Sequence, residues 1–133
     1  LAGGKDFLLR EGYLSEEELY LLPGSANLFL LPYPNLEQVS SGTLSYALAL
    51  GKAVLSTPFR HARAALAAGR GVLLPLEEEA WAQAVLALAE SPERLREMEE
   101  RAYAYARDFT WPRVARAYRR LLEEVADVRP RVA

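Results

Sequence analysis

Anion binding is the chemistry most plainly offered by this sequence, and it centres on Ser40-Ser41-Gly42-Thr43. These small residues open a helical pattern, Ser40 to Gly51, that contains no acid. A helix N-terminus carries unpaired N–H groups and a partial positive charge, which its own carboxylates often satisfy. Glu16, Glu17 and Glu18 do so at one helix start, Glu77, Glu78 and Glu79 at another, and Glu93 at a third. At Gly42 the backbone lies open to close approach, and the flanking hydroxyls can donate to phosphate oxygens. The same residues would also serve an ordinary Ser-capped buried helix. A second acid-free joint, Ser56 to Arg63, brings Arg60, His61 and Arg63 toward the same end of the chain's sheet, either as support for an anion or as solvent-facing charge.

Other chemistries lack their residues. Cys is absent and His61 is the only histidine, which excludes thiolate chemistry, His-pair zinc and any triad not built on His61. No metal site is expected. Gly69-Arg70-Gly71 begins like a dinucleotide fingerprint, but Leu74 stands where the third glycine belongs. There is no P-loop and no G-x-S-x-G. Trp111, Arg113, Arg116 and Tyr118 read as packing and solvated helix face rather than a cofactor box.

The elements that must position these residues follow from local pattern. Short apolar runs at 7–9, 27–31, 53–56 and 71–74 predict four strands. Ser15 with Glu18 forms a capping box, and Pro23-Gly24 is expected to end that helix. Ser41 caps a helix through Leu50, closed by Gly51, and 61–68 forms a short helix ended by Gly69. Residues 77–90, 92–107 and 112–126 read as three consecutive helices. Nonalternating strands separated by helices predict an α/β fold. The expected form is a Rossmann-like three-layer parallel sheet with helices on both faces and a helical C-terminal extension.

Composition agrees with a folded chain. The 133 residues are 51% hydrophobic and 26% charged, enough for one core. A net charge of −2 argues against nucleic acid as a partner. No run approaches the ~20 apolar residues of a transmembrane helix, and no signal peptide is evident, so the expectation is a cytoplasmic protein. The chain starts at Leu1, and a sheet beginning at residue 7 leads us to expect an N-terminally incomplete piece of a larger protein. Arg supplies 14 of 16 bases and Asn plus Gln number 4, a bias shared by thermophiles and GC-rich genomes.

From about Gly12 to Leu122 the sequence resembles the C-terminal, donor-binding domain of retaining GT-B-fold glycosyltransferases (glycosyl transferases group 1, family 4). The resemblance rests on GYLSEEELYLL, NLFLLPYPNLEQ, SGTLSYALALGKAVLSTP, GRGVLLPL and DFTWPRVARAYRRL. It implies that a nucleotide-diphosphate sugar is the substrate, with no further cofactor. Ser40, Ser41, Gly42 and Thr43 would hold the diphosphate, and Tyr13, Leu14 and Tyr46 would lie near the ribose and base. The family's signature is two glutamates separated by seven residues. Here Gln38, with Glu37 beside it, stands at the first, on the donor sugar; Tyr46 stands at the second, on the ribose. Part of the superfamily carries the Gln-x-x-Ser-Gly-Thr-Leu pattern that Gln38 to Leu44 matches. The implied activity is sugar transfer with retention. An N-terminal acceptor-binding domain and the family's basic pair would lie upstream, and the whole protein could touch a membrane peripherally. A phosphate-binding module without transfer activity is the alternative, and a purely structural domain a third reading.

The last helix carries Val114, Tyr118, Leu121, Leu122 and Val125 as one apolar stripe. Arg113, Arg116, Arg119, Arg120 and Glu123 lie opposite. The resemblance implies that the N-terminal domain covers part of this stripe. Uncovered, the stripe invites self-association.

Overall fold

The computed structural model describes residues 11–127. Helix α1 spans Glu16–Ser25, and its capping box is formed as expected: Ser15 Oγ accepts from Glu18 N–H at 3.2 Å, and the Glu18 carboxylate accepts from Ser15 N–H at 2.9 Å. Strand β1 (Leu28–Leu31) leads through a loop into α2 (Gly42–Ala49) and then β2 (Ala53–Ser56). Helix α3 (Arg60–Ala65) precedes β3 (Gly71–Leu73). Helices α4 (Glu78–Ala89) and α5 (Pro92–Ala106), a 3-10 turn (Arg107–Phe109) and α6 (Trp111–Asp127) complete the order.

The described residues form an α/β fold around a small parallel sheet of order β1-β2-β3. Leu28 to Leu31 pair with Ala53 to Ser56, and Val54 to Ser56 pair with Gly71 to Leu73. The central strand β2 is buried at all four positions, which explains its unbroken apolar run. Its side chains alternate between two clusters. Val54 joins Leu44, Leu48, Phe59, Ala62 and Ala102, while Ala53 and Leu55 join Leu88 and Met98. Leu30, on β1, remains 48% exposed.

Several expectations need correction. Pro23-Gly24 does not end α1, which continues to Ser25. Proline removes one N–H, but the final turn is held by Ser25 Oγ donating to Leu22 O and Ala26 N–H donating to Pro23 O. Helix α3 is shorter than the pattern over 61–68, because the chain turns at Ala68 and Gly69, which have φ of 56° and 74°. Strand β1 begins at Leu28 and β3 ends at Leu73. The fourth strand expected at 7–9 lies outside the described residues.

Two glycines are required by geometry. Gly51, at φ 66°, closes α2: its N–H donates to Leu48 O and the Lys52 N–H donates to Ala47 O. Gly71 sits on β3 where a Cβ would meet Val54 O at 2.6 Å and Leu66 Cδ2 at 2.8 Å. Backbone cannot yield there without breaking the β2–β3 ladder. Gly71→Ala is therefore expected to cost about 1–3 kcal/mol, measured by urea unfolding. An unchanged midpoint would contradict the close approach.

Candidate functional site

The carboxyl ends of β1 and β2 are fastened together by hydroxyls. Thr57 Oγ1 donates to Tyr33 O at 2.6 Å, Thr57 N–H donates to Leu31 O at 3.2 Å, and Ser56 Oγ donates to Thr57 O at 2.9 Å. Loop 32–40 leaves from this junction, in the zone where ligands bind open parallel sheets. The loop is tied down in turn: Leu36 O accepts from Arg60 N–H at 3.0 Å and Gln38 O accepts from His61 N–H at 3.2 Å.

That arrangement separates the two acid-free joints. The first N–H groups of α3 are consumed by carbonyls of the loop, and Arg63 Nε donates to Pro58 O at 2.5 Å. The side chains of Arg60, His61 and Arg63 are left to act on anything bound nearby. At α2 the N-cap Ser41 is buried, and its Oγ accepts from Leu44 N–H at 3.2 Å. Ser45 N–H donates to Ser41 O. Gly42 and Thr43 are exposed, and among the described residues no acceptor reaches either N–H. A Cβ at Gly42 would meet nothing within 4 Å, so the fold itself does not need glycine here.

His61 joins the two helices. Its Nδ1 accepts from Ser41 N–H at 3.0 Å, across 20 residues of sequence. An accepting Nδ1 places the ring proton on Nε2. The ring lines a cleft of about 490 Å³ with Gly42, Ser45 and Tyr46 on the α2 side and Tyr105, Phe109 and Trp111 opposite. A second groove of about 390 Å³ holds Leu14, Thr43 and Tyr46 together with Phe29 and residues of α1. Tyr46 borders both, and its ring meets Tyr20 edge-on at 5.8 Å.

Thr43, Leu14 and Tyr46 are thus brought together, and so are Gly42, Tyr46 and His61. Tyr13 is 99% exposed and borders neither depression. Glu37 is exposed on the loop, and Gln38 turns its amide back to donate to Ser40 O at 2.8 Å. Trp111 and Tyr118 are not packing residues, being 85% and 65% exposed. The aromatic wall of Tyr105, Phe109 and Trp111 was not apparent as a site from the sequence, since nothing local shows that the α5–α6 joint faces α2. No group of His, Cys, Asp and Glu suited to a metal occurs among the described residues. None of their helices is long and apolar enough to cross a membrane.

Compared with models of known families, with curated proteins and with solved structures, the chain finds no match.

Proposed function

We propose that the chain is the donor-binding side of a retaining glycosyltransferase of the GT-B type, taking a nucleotide-diphosphate sugar. The reading includes a Rossmann-like three-layer arrangement, a cytoplasmic setting and an N-terminal acceptor-binding domain supplied elsewhere. One observation carries it: the N–H groups of Gly42 and Thr43, which no acceptor reaches among the described residues, open beside two grooves at the carboxyl edge of a parallel sheet. Two N–H groups and a helix dipole aimed at one point suit a diphosphate and stabilise it further as it departs. Ser40 and Ser41 frame that point, although the Ser41 hydroxyl already accepts from Leu44. The groove at Leu14 and Tyr46 suits a base, and Glu37 and Gln38 on the tied loop would face the sugar, Gln38 once its amide leaves Ser40 O. Bond cleavage and capture by the acceptor need groups beyond this chain.

A second reading has its own support. Tyr46, at the position of the ribose carboxylate, lies against Tyr20 and offers only a phenol. That fits a nucleotide- or phosphate-binding module without transfer activity.

A thermal-shift screen of nucleotide-diphosphate sugars, free nucleotides and pyrophosphate tests both. A ligand at 100 times its Kd adds about 2.7 kcal/mol of stability. Stabilisation by a nucleotide-diphosphate sugar, with sugar transfer once the upstream domain is present, supports the enzyme. Stabilisation without transfer by the longer protein supports the module. No shift with any of these ligands overturns both.

A further inference from the structure

A diphosphate at Gly42 and Thr43 with its base beside Leu14 uses one of the two grooves. The other, of about 490 Å³, runs between α2 and the α5–α6 joint. On the α2 side Ser45, Tyr46 and Ala49 follow Gly42 by three, four and seven residues, so the cleft tracks one helix face for about 10 Å. His61 stands at the Gly42 end, with its Nδ1 held by Ser41 N–H at 3.0 Å. The facing wall is aromatic and braced. The rings of Tyr105 and Phe109 pack at 4.8 Å, and the Arg70 guanidinium lies 4.1 Å over the Tyr105 ring. Arg70 is fixed in turn by donating to Ala64 O at 3.0 Å and Ala65 O at 2.6 Å. Beside this braced ring, Phe109 and Trp111 stay 60% and 85% exposed.

The polar side chains of the cleft are one imidazole, two phenols, one hydroxyl and one indole N–H, from His61, Tyr46, Tyr105, Ser45 and Trp111. No carboxylate, amide or cation is among them. Because Nδ1 accepts, the imidazole proton is on Nε2, and among the described residues that N–H meets no acceptor. The Ser45 hydroxyl spends its own proton on Ser41 O at 3.0 Å. One end of the cleft therefore offers a positioned donor, and the rest offers ring surface. A neutral sugar is poorly served, since its hydroxyl protons need acceptors and the cleft holds none stronger than a hydroxyl or phenol. An acyl chain would leave the imidazole N–H unanswered, and a cation would meet the positive end of α2.

We infer that this cleft binds a small aromatic ligand carrying an oxyanion. Its ring lies against Tyr105, Phe109 and Trp111, and its oxygen accepts from His61 Nε2–H. Ser41 acts through His61: its N–H fixes the imidazole tautomer and so aims the donor. The inference rests on the cleft and the imidazole, and stands whether or not a nucleotide binds at Gly42 and Thr43.

Phenyl phosphate is the probe, titrated calorimetrically into the 133-residue chain beside cyclohexyl phosphate, inorganic phosphate and pyrophosphate. Phenyl phosphate should bind about tenfold more tightly than cyclohexyl phosphate, which matches its charge and bulk but lacks its ring. His61 is the only histidine, so its ring nitrogens give one unambiguous set of NMR signals. Phenyl phosphate should move the Nε2–H signal while Nδ1 stays an acceptor. In His61→Asn the amide oxygen can still accept from Ser41 N–H, but the Nε2 donor is gone, and affinity should fall about tenfold. Trp111→Ala, at a side chain the core does not use, should weaken phenyl phosphate and leave pyrophosphate unchanged. Pyrophosphate failing while phenyl phosphate binds would remove the diphosphate site and leave this one. No binding of phenyl phosphate, equal affinity for the cyclohexyl compound, or an unmoved Nε2–H signal in the wild type would each overturn the inference, as would undiminished affinity in His61→Asn.

Discussion

Phe59→Ala is expected to lower the unfolding free energy by about 3–5 kcal/mol. Phe59 has no exposed surface, and its ring lies 5.2 Å from that of Tyr33. It fills the space where β1, α2, α3 and β2 meet, in the cluster that holds Leu31, Leu44, Val54, Ala62 and Leu66. Truncation removes the largest fully buried side chain among the described residues and leaves a hole that a three-stranded sheet has little freedom to close. In a chain of this size the loss should lower the Tm by about 10 °C or more, read by calorimetry. Leu122→Ala is the matching control. Leu122 is 66% exposed on α6, so the expected change in the monomer is within about 0.5 kcal/mol. Equal effects from the two substitutions would show that the core is not where these contacts put it.

Gly42→Asp is expected to weaken binding of a nucleotide diphosphate by at least about 100-fold. Each hydrogen bond to a charged group contributes about 1.5–3 kcal/mol, and Gly42 and Thr43 offer two N–H groups. An aspartate here supplies its own anion to the helix start and repels the ligand's. The fold should not suffer, because a Cβ at Gly42 meets nothing within 4 Å. Gly42→Ala sharpens the point: a methyl narrows the approach to the backbone, yet alanine restricts the unfolded chain and favours the helix by about 0.4–1 kcal/mol. Binding that falls while stability rises is the signature of a glycine kept for a ligand. Calorimetric titration of the wild type and both variants decides it. Unchanged affinity in Gly42→Asp would remove the anion site from α2.

Much of the architecture was legible in the sequence because its determinants are local. The capping box at Ser15 and Glu18, the cap at Ser41 and the closing turn at Gly51 are each specified within a few residues and appear as read. Strand β2 was recognisable because burial on both faces leaves an unbroken apolar run. Pro23 misled because its cost to the helix was offset by Ser25, a side chain whose hydrogen-bonding choice depends on the final backbone. The ending of α3 was missed for a related reason, since a helix-compatible run of alanines ends when the chain turns toward β3.

The sequence by itself determined where each helix start lacks an acid, and so which two joints could attract an anion. Only the tertiary structure distinguished them. Carbonyls of Leu36 and Gln38 come from another segment to occupy the Arg60 and His61 N–H groups of α3, whereas among the described residues no acceptor reaches those of Gly42 and Thr43. His61 reaches Ser41 across 20 residues, and the α5–α6 joint brings Phe109 and Trp111 opposite α2. Local pattern encodes the donors a helix start presents, because those follow from the chain's own period and caps. Whether a donor is already satisfied depends on which distant carbonyl packs against it, and that is fixed only when the sheet brings the loops together.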